Sequence, residues 1–350
     1  MSRKIKVLIV DDSFLMRRII SDIINSDSEL EVVGKAQDGQ EALQKLVELA
    51  PDVVTLDINL PGQNGIDVLC DIMKTRPTRV VMLSAYSRAG ASATMRALEL
   101  GAVDFIAKPS GEISLGLEKL KDEIIAKVKL AASIDLDKYL SCFKSVEEAP
   151  VQPTVTIAGI KKIVVVGAST GGPKATLTLM REIPADIPAA FLIVQHMPKG
   201  FTASFAERIS WDAGIRTKEA EDNDVLEPAR AYVAPAGFHM ILKQHNDKII
   251  IRLNQEPPVN FVRPSVDVTL LSCVQLFGKD TIAVILTGMG KDGLEGSRRV
   301  KELGGVVFVQ DEDSSVVWGM PGSVARAGLA NAVAPLPQLA QLILKQIHSS

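Results

Sequence analysis

The sequence predicts an α/β protein made of two doubly wound domains. The first is a five-stranded parallel sheet; the second is mostly parallel and carries an antiparallel hairpin. Three observations support this. Short β-branched apolar runs alternate with amphipathic stretches along both halves, as in βα units that build parallel sheets. A polar stretch with two prolines, Ser145-Val-Glu-Glu-Ala-Pro150-Val-Gln-Pro153-Thr154, interrupts the alternation as a linker does. The 350 residues suffice for two cores of ordinary domain size. The expected domains are residues 1–130 and 160–350, with 131–159 as the linker.

In the first half, Ile5–Val10 reads as a buried strand ending in Asp11-Asp12. Asp52–Leu56 runs into Asp57, Arg79–Leu83 into Ser84, and Val103–Ala107 into Lys108-Pro109. Glu118–Ala132 reads as the last helix, and Asp135–Phe143 as a short helix within the linker. In a parallel sheet all these strand ends gather at one edge. Crowded carboxylates repel unless a cation sits among them, which points to Mg²⁺ held by Asp11, Asp12 and Asp57. Asp57 is then the nucleophile for a phosphoryl group, Lys108 the cation that stabilises it, and Ser84 a hydroxyl that bonds it. Taken singly, Asp11 and Asp12 would be helix caps and Lys108 a solvated surface lysine.

In the second half, Ile163–Val166 leads into Gly167-x-Ser169-x-Gly171, and a helix with Pro173 in its first turn follows. A serine on such a strand-to-helix turn projects its Oγ, while the helix start aims N–H groups at the same place. The N–H of Thr170, the residue after the serine, is an oxyanion donor by this reasoning. Glycine-rich turns also serve as phosphate cradles or plain connections. A serine needs a base, and the four histidines are His196, His239, His245 and His348. His196 ends the run Ala189–Val194 and is the chosen base; His239, which opens a strand, comes second. His245 falls in an expected hairpin turn between MILK and KIIIRL. Thr281–Leu286 reads as another parallel strand running into Thr287-Gly-Met-Gly-Lys-Asp292-Gly. Asp292, expected to open the next helix, would orient the imidazole without taking its proton. The chain order Ser, His, Asp differs from that of α/β-hydrolases. A hairpin-containing insert is expected around Ala231–Arg252.

Residues 3–128, with DD…D…S…KP at successive strand ends, resemble the response-regulator receiver domain, whose fold is flavodoxin-like. That resemblance implies phosphorylation at Asp57, a Mg²⁺ site that includes the backbone of Asn59, and Phe105 as the family's switch aromatic, whose bland role is core packing. It also implies a chemotaxis histidine kinase as phosphodonor. Asn59, Leu60 and Gln63 depart from the usual acidic residue and methionines of the subfamily, and Ser84 replaces the commoner threonine. Residues 160–347, with GASTGGPKA, VQHMPKGFT, APAGFHM, RPSVDV and TGMGKDG, resemble the catalytic domain of chemotaxis protein-glutamate methylesterases. This implies hydrolysis of glutamyl γ-methyl esters on chemoreceptor signalling helices by Ser169, His196 and Asp292. It places the N–H of Met289 at the oxyanion hole and Arg263, Pro264 and Ser265 at the border of the substrate cleft. Deamidation of receptor glutamines uses the same acyl-enzyme logic. No cofactor is expected for the ester chemistry. The joined reading is an esterase whose unphosphorylated receiver blocks the cleft. An inert phospho-dependent scaffold, or the same enzyme in a chemosensory pathway unrelated to motility, stays open.

Charge and composition narrow the classes. Residues 1–130 carry 17 Lys+Arg against 19 Asp+Glu, and 131–350 carry 22 against 23, so neither half is a basic nucleic-acid module. No apolar run approaches the ~20 residues that span a bilayer, so no direct membrane insertion is expected. The start, MSRKIKVLIVDD, reads as a first strand and not a signal peptide. Cys70, Cys142 and Cys273 have no metal-like spacing and fit a reducing cytoplasm.

Overall fold

The computed structural model describes residues 3–85, 87–108, 117–136 and 159–349. The linker stretch Ser145–Thr154, Pro109 and most of the short helix expected over Asp135–Phe143 lie outside the described residues. The chain divides into two compact units, Met1–Val146 and Glu147–Ser350.

The first unit alternates β1 (Ile5–Val10), α1 (Phe14–Asn25), β2 (Leu30–Ala36), α2 (Gly39–Leu49), β3 (Val53–Asp57), α3 (Gly65–Thr75), β4 (Arg79–Ser84), α4 (Arg88–Glu99), β5 (Asp104–Ala107) and α5 (Leu117–Ser133). Four of its helices begin where a short polar side chain caps a free N–H. Ser13 accepts from Met16, Asp38 from Glu41, Asn64 from Ile66 and Ser87 from Gly90. The sheet order is β2-β1-β3-β4-β5, parallel throughout. Its central strands are buried on both faces, which is why they read as unbroken apolar runs. The order reverses between β1 and β3, and a ligand crevice forms at such a reversal.

The second unit contains β6 (Lys162–Ala168), α6 (Gly172–Arg181), β7 (Ala189–Gln195), α7 (Thr202–Asp212), β8 (Arg216–Glu219), β9 (Arg230–Val233), β10 (His239–His245) and β11 (Lys248–Asn254). It continues with α8 (Val266–Phe277), β12 (Thr281–Ile285), α9 (Leu294–Glu302), β13 (Val306–Gln310), α10 (Met320–Arg326), β14 (Ala332–Ala334) and α11 (Leu336–His348). Seven strands form one sheet in the order β14-β13-β12-β6-β7-β9-β8, every neighbouring pair parallel. One core cluster gathers Ile163, Val165, Leu192, Tyr232, Leu270, Cys273, Ile285 and Val309. The order reverses between β6 and β12, which places the loops after these strands at the crevice.

The antiparallel insert is shorter than expected. Arg230–Val233 pairs parallel with both β7 and β8, because Ala231, Tyr232 and Val233 are buried like any inner strand. Only β10 and β11 form the separate antiparallel sheet. His245 ends β10 opposite Lys248 instead of lying in the turn, and Asn246 takes the left-handed conformation there.

Candidate functional site

Ser169 sits immediately beyond β6, held by its backbone. Its N–H donates to Thr287 O across the switch point at 3.0 Å, and its carbonyl accepts from Gly172 N–H at 2.8 Å and from Gln195 Nε2 at 2.8 Å. Gly171 takes φ 76°, and a Cβ there would stand 2.5 Å from Val316 Cγ2, so the turn demands glycine. The backbone of Gly288 presses on the serine from the β12 side: a Cβ on it would lie 2.8 Å from Ser169 Cβ. Thr287 Oγ1 donates to Thr170 O at 2.9 Å and so couples the two loops. Among the described residues, Ser169 Oγ has no hydrogen-bond partner, and the N–H groups of Thr170 and Met289 donate to no protein acceptor. Both expected oxyanion donors are therefore uncommitted.

His196 follows β7, its N–H bonded to Ala168 O at 3.0 Å, which ties it to the end of the serine's strand. Its Nε2–H donates to Asp292 Oδ2 at 2.8 Å. That bond fixes the tautomer and leaves Nδ1 as the ring nitrogen with a lone pair. The histidine and carboxylate expected from the sequence are thus paired, although they stand 96 residues apart.

Asp292 is placed differently from expectation. Helix α9 starts at Leu294, with Gly293 in the capping position, so Asp292 does not open its own helix. Its carboxylate instead caps α8. Oδ2 accepts the Val266 N–H at 2.7 Å; Oδ1 accepts Ser265 Oγ–H at 2.7 Å and Asp267 N–H at 3.3 Å. Asn260 Nδ2 adds a further bond to Oδ1 at 3.2 Å. The arrangement is reciprocal: Asp267, in the first turn of α8, accepts Gly296 N–H of α9 at 2.8 Å and Asn260 Nδ2 at 2.8 Å. Each helix start is capped by a carboxylate attached to the other.

The two carboxylates titrate in opposite directions. Burial works against the charge of Asp292, but His196, Ser265 and the Val266 N–H outweigh it and hold the carboxyl at about 2. Asp267 is pushed up to about 6 by burial, against the Gly296 N–H, and by the negative charge of Asp292. Asp292 is therefore a fixed anion beside the imidazole.

Other expected residues serve as scaffolding. Ser265, expected at the cleft border, is fully buried beneath Asp292. Arg263 spends its Nη1 on the carbonyls of Gln255 and Glu256, each at 2.8 Å, bracing that loop, and Pro264 is buried. His239, the second choice as base, is buried, with Nδ1 accepting Ser265 N–H and Nε2 donating to Pro257 O. Sequence reasoning assigned nothing to Gln195, Asn260, Asp267 or Thr287. Gln195 adjoins His196, Asp267 lies within the RPSVDV segment and Thr287 opens TGMGKDG; Asn260 carries no such signal.

The first unit assembles its own site at the β1/β3 reversal. Asp57 is buried, and Lys108 Nζ lies 2.6 Å from its Oδ2 and 2.7 Å from Asp11 Oδ2. One carboxylate oxygen from each of Asp11, Asp12 and Asp57 lies within 4.8 Å of the other two. This is an all-oxygen, hard donor set that fits Mg²⁺. Asn59 adjoins it, its N–H on Asp57 Oδ1 at 3.2 Å. Burial raises the Asp57 carboxyl against the pull of Lys108. Ser84 Oγ points to Gly90 O at 3.1 Å, and Phe105 is buried with Lys127 Nζ 5.0 Å from its ring centroid.

Comparison with known proteins follows the same division. Residues 164–343 match the family described as CheB methylesterase, and residues 7–118 the response regulator receiver domain. A protein-glutamate methylesterase/protein-glutamine glutaminase of Pyrococcus horikoshii is 44% identical, the match covering 99% of this chain and 95% of that one. Its namesake in Thermotoga maritima is 43% identical, over 99% of both chains. The crystal structure of the Thermotoga maritima CheB methylesterase catalytic domain superposes with a TM-score of 0.52 at 42% identity, covering 54% of this chain and 99% of that one.

Proposed function

Because the chain belongs to the CheB methylesterase family and carries a response-regulator receiver domain, we propose that hydrolysis takes place at Ser169 and is controlled from Asp57. The protein is a carboxylic ester hydrolase that cleaves glutamate γ-methyl esters of chemoreceptors and deamidates glutamine side chains.

Ser169 Oγ attacks the ester carbonyl carbon as its proton passes to His196. With Nε2 engaged by Asp292, Nδ1 is the nitrogen that receives it. The oxyanion of the tetrahedral intermediate takes the free N–H groups of Thr170 and Met289; losing one such donor typically costs ~2.7–4 kcal/mol of transition-state stabilisation. Collapse breaks the C–O bond, and the proton on His196 leaves with methanol. Water then attacks the acyl-enzyme, its proton returning through His196, and frees the glutamate carboxylate and Ser169. With glutamine, the first leaving group is ammonia. Asp292 stabilises the imidazolium without being protonated, consistent with a carboxyl held at about 2.

In the receiver, Asp11, Asp12, Asp57 and the Asn59 backbone would hold Mg²⁺, which offsets phosphate charge when bound. Asp57 attacks the phosphorus of a phosphodonor, with a histidine kinase as the physiological source. Lys108 stabilises the acquired charge, and Ser84 and Phe105 respond to it. We assign residues 1–130 to this switch, 131–159 to the linker and 160–350 to catalysis. Phosphorylation raises esterase activity by relieving an inhibition exerted by the receiver. Arg263, Pro264 and Ser265 shape the cleft from behind.

The single observation that carries the catalytic reading is the His196–Asp292 pair beside a serine whose Oγ is unengaged among the described residues. Ser169→Ala and His196→Ala should each abolish methanol release from methylated receptors and ammonia release from receptor glutamines. Retention of either release in Ser169→Ala would contradict a shared serine nucleophile.

A further inference from the structure

Asn260 and Phe261 form the tip of a tight turn next to the catalytic carboxylate. Val259 and Val262 exchange both backbone hydrogen bonds, at 3.2 and 3.0 Å, so only two residues make the bend. Both take the left-handed conformation, with φ 52° for Asn260 and 65° for Phe261. Asparagine tolerates that region, and here its side chain is spent inward on Asp267 and Asp292. A bulky aromatic in the same conformation is an outlier. Phe261 is also fully exposed, at 102% of its reference area. The fold therefore bears backbone strain at a position where the aromatic ring packs against nothing among the described residues, and such strain gathers at functional sites.

A lone exposed apolar residue needs no explanation by itself. Trp211, 84% exposed at the end of α7, is such a case: its backbone is ordinary helix and it has no link to the site. Phe261 differs because its neighbour bonds Asp292, which holds His196. On the β12 side of the site, Met289 is 60% exposed and follows the glycine that presses on Ser169. Two exposed apolar side chains are thus attached to the loops that carry the site. A free methyl ester or a short polar side chain offers nothing to cover a whole phenyl ring. A folded protein surface does.

We propose that Phe261 is a substrate-positioning residue that docks against an apolar side chain of the receptor beside the modified glutamate. This rests on the methylesterase reading above. The turn fixes the Phe261 backbone relative to Asp292, so that docking the receptor chain presents its ester to Ser169.

The test uses the full-length protein and vesicles bearing methylated receptor, with initial methanol release measured against receptor concentration. Phe261→Gly suits the left-handed backbone and leaves the Asn260 contacts in place, while Phe261→Leu keeps an apolar contact. The expected result is a KM about tenfold higher for Phe261→Gly, kcat within about twofold of wild type, and most of the KM recovered in Phe261→Leu. An unchanged KM in Phe261→Gly overturns the proposal alone. So does a lower kcat at unchanged KM, which would mean that the residue acts through the turn on the triad. Absence of methanol release by the wild type would overturn the methylesterase reading and this proposal together.

Discussion

At the scale of single residues, the site rests on a pair of buried carboxylates that are kept apart in charge. Asp292 is surrounded by donors, including His196, Ser265, Asn260 and two N–H groups at the start of α8. Its carboxyl is lowered from 3.8 to about 2, so it contributes stability that is present above the ordinary value and lost as pH falls through about 2. Asp267 has the opposite sign. Raised from 3.8 to about 6, it favours the folded state at low pH, and that contribution fades as pH rises through about 6. Asp267→Asn mimics the protonated form. In urea titrations it should match the wild type near pH 4 and exceed it by about 1–2 kcal/mol at pH 8. A constant difference across that range would show that the Asp267 carboxyl is not raised in the folded protein. Asp292→Asn should lower kcat by about 10³–10⁴-fold, because an amide cannot hold the imidazolium.

At the scale of elements, the strand ends are legible in the sequence, as are the starts of α5 and α6, but the partner that each helix-capping carboxylate finds is not. β1, β3, β4, β6, β7 and β12 fall within two residues of their sequence boundaries, since buried parallel strands leave unbroken β-branched runs. Ser169, His196 and Asp57 follow directly, because each ends or adjoins such a run. Asp292 is legible for an incomplete reason. An aspartate near a helix start reads as a cap, but the helix it caps is α8, whose start lies 26 residues earlier. Asn260 is invisible for the same reason: its contacts with Asp267 and Asp292 exist only after the chain has folded. The expected hairpin is too long because Arg230–Val233 is short and gives no sign that it pairs with β7. The elbow itself makes a sharp prediction. Gly171→Ala places a Cβ at φ 76° against Val316, and it should cost about 2–4 kcal/mol in denaturant unfolding. A loss below 0.5 kcal/mol, roughly the scatter for neutral surface changes, would mean that the turn relaxes freely.

At the scale of the whole molecule, the same architectural rule is used twice. Each unit places its chemistry where the strand order reverses, between β1 and β3 in the first and between β6 and β12 in the second. The first site gathers anions around a lysine and suits a phosphoryl group with Mg²⁺; the second leaves a serine and two N–H donors uncommitted and suits an acyl transfer. Joined in one chain, they act as switch and output. This central claim is tested most directly by methanol release from methylated receptor membranes, with and without acetyl phosphate and Mg²⁺, in the wild type, Asp57→Asn and Ser169→Ala. Release should rise on phosphorylation in the wild type, stay at the unstimulated level in Asp57→Asn, and be absent in Ser169→Ala. Stimulation that persists in Asp57→Asn would contradict it.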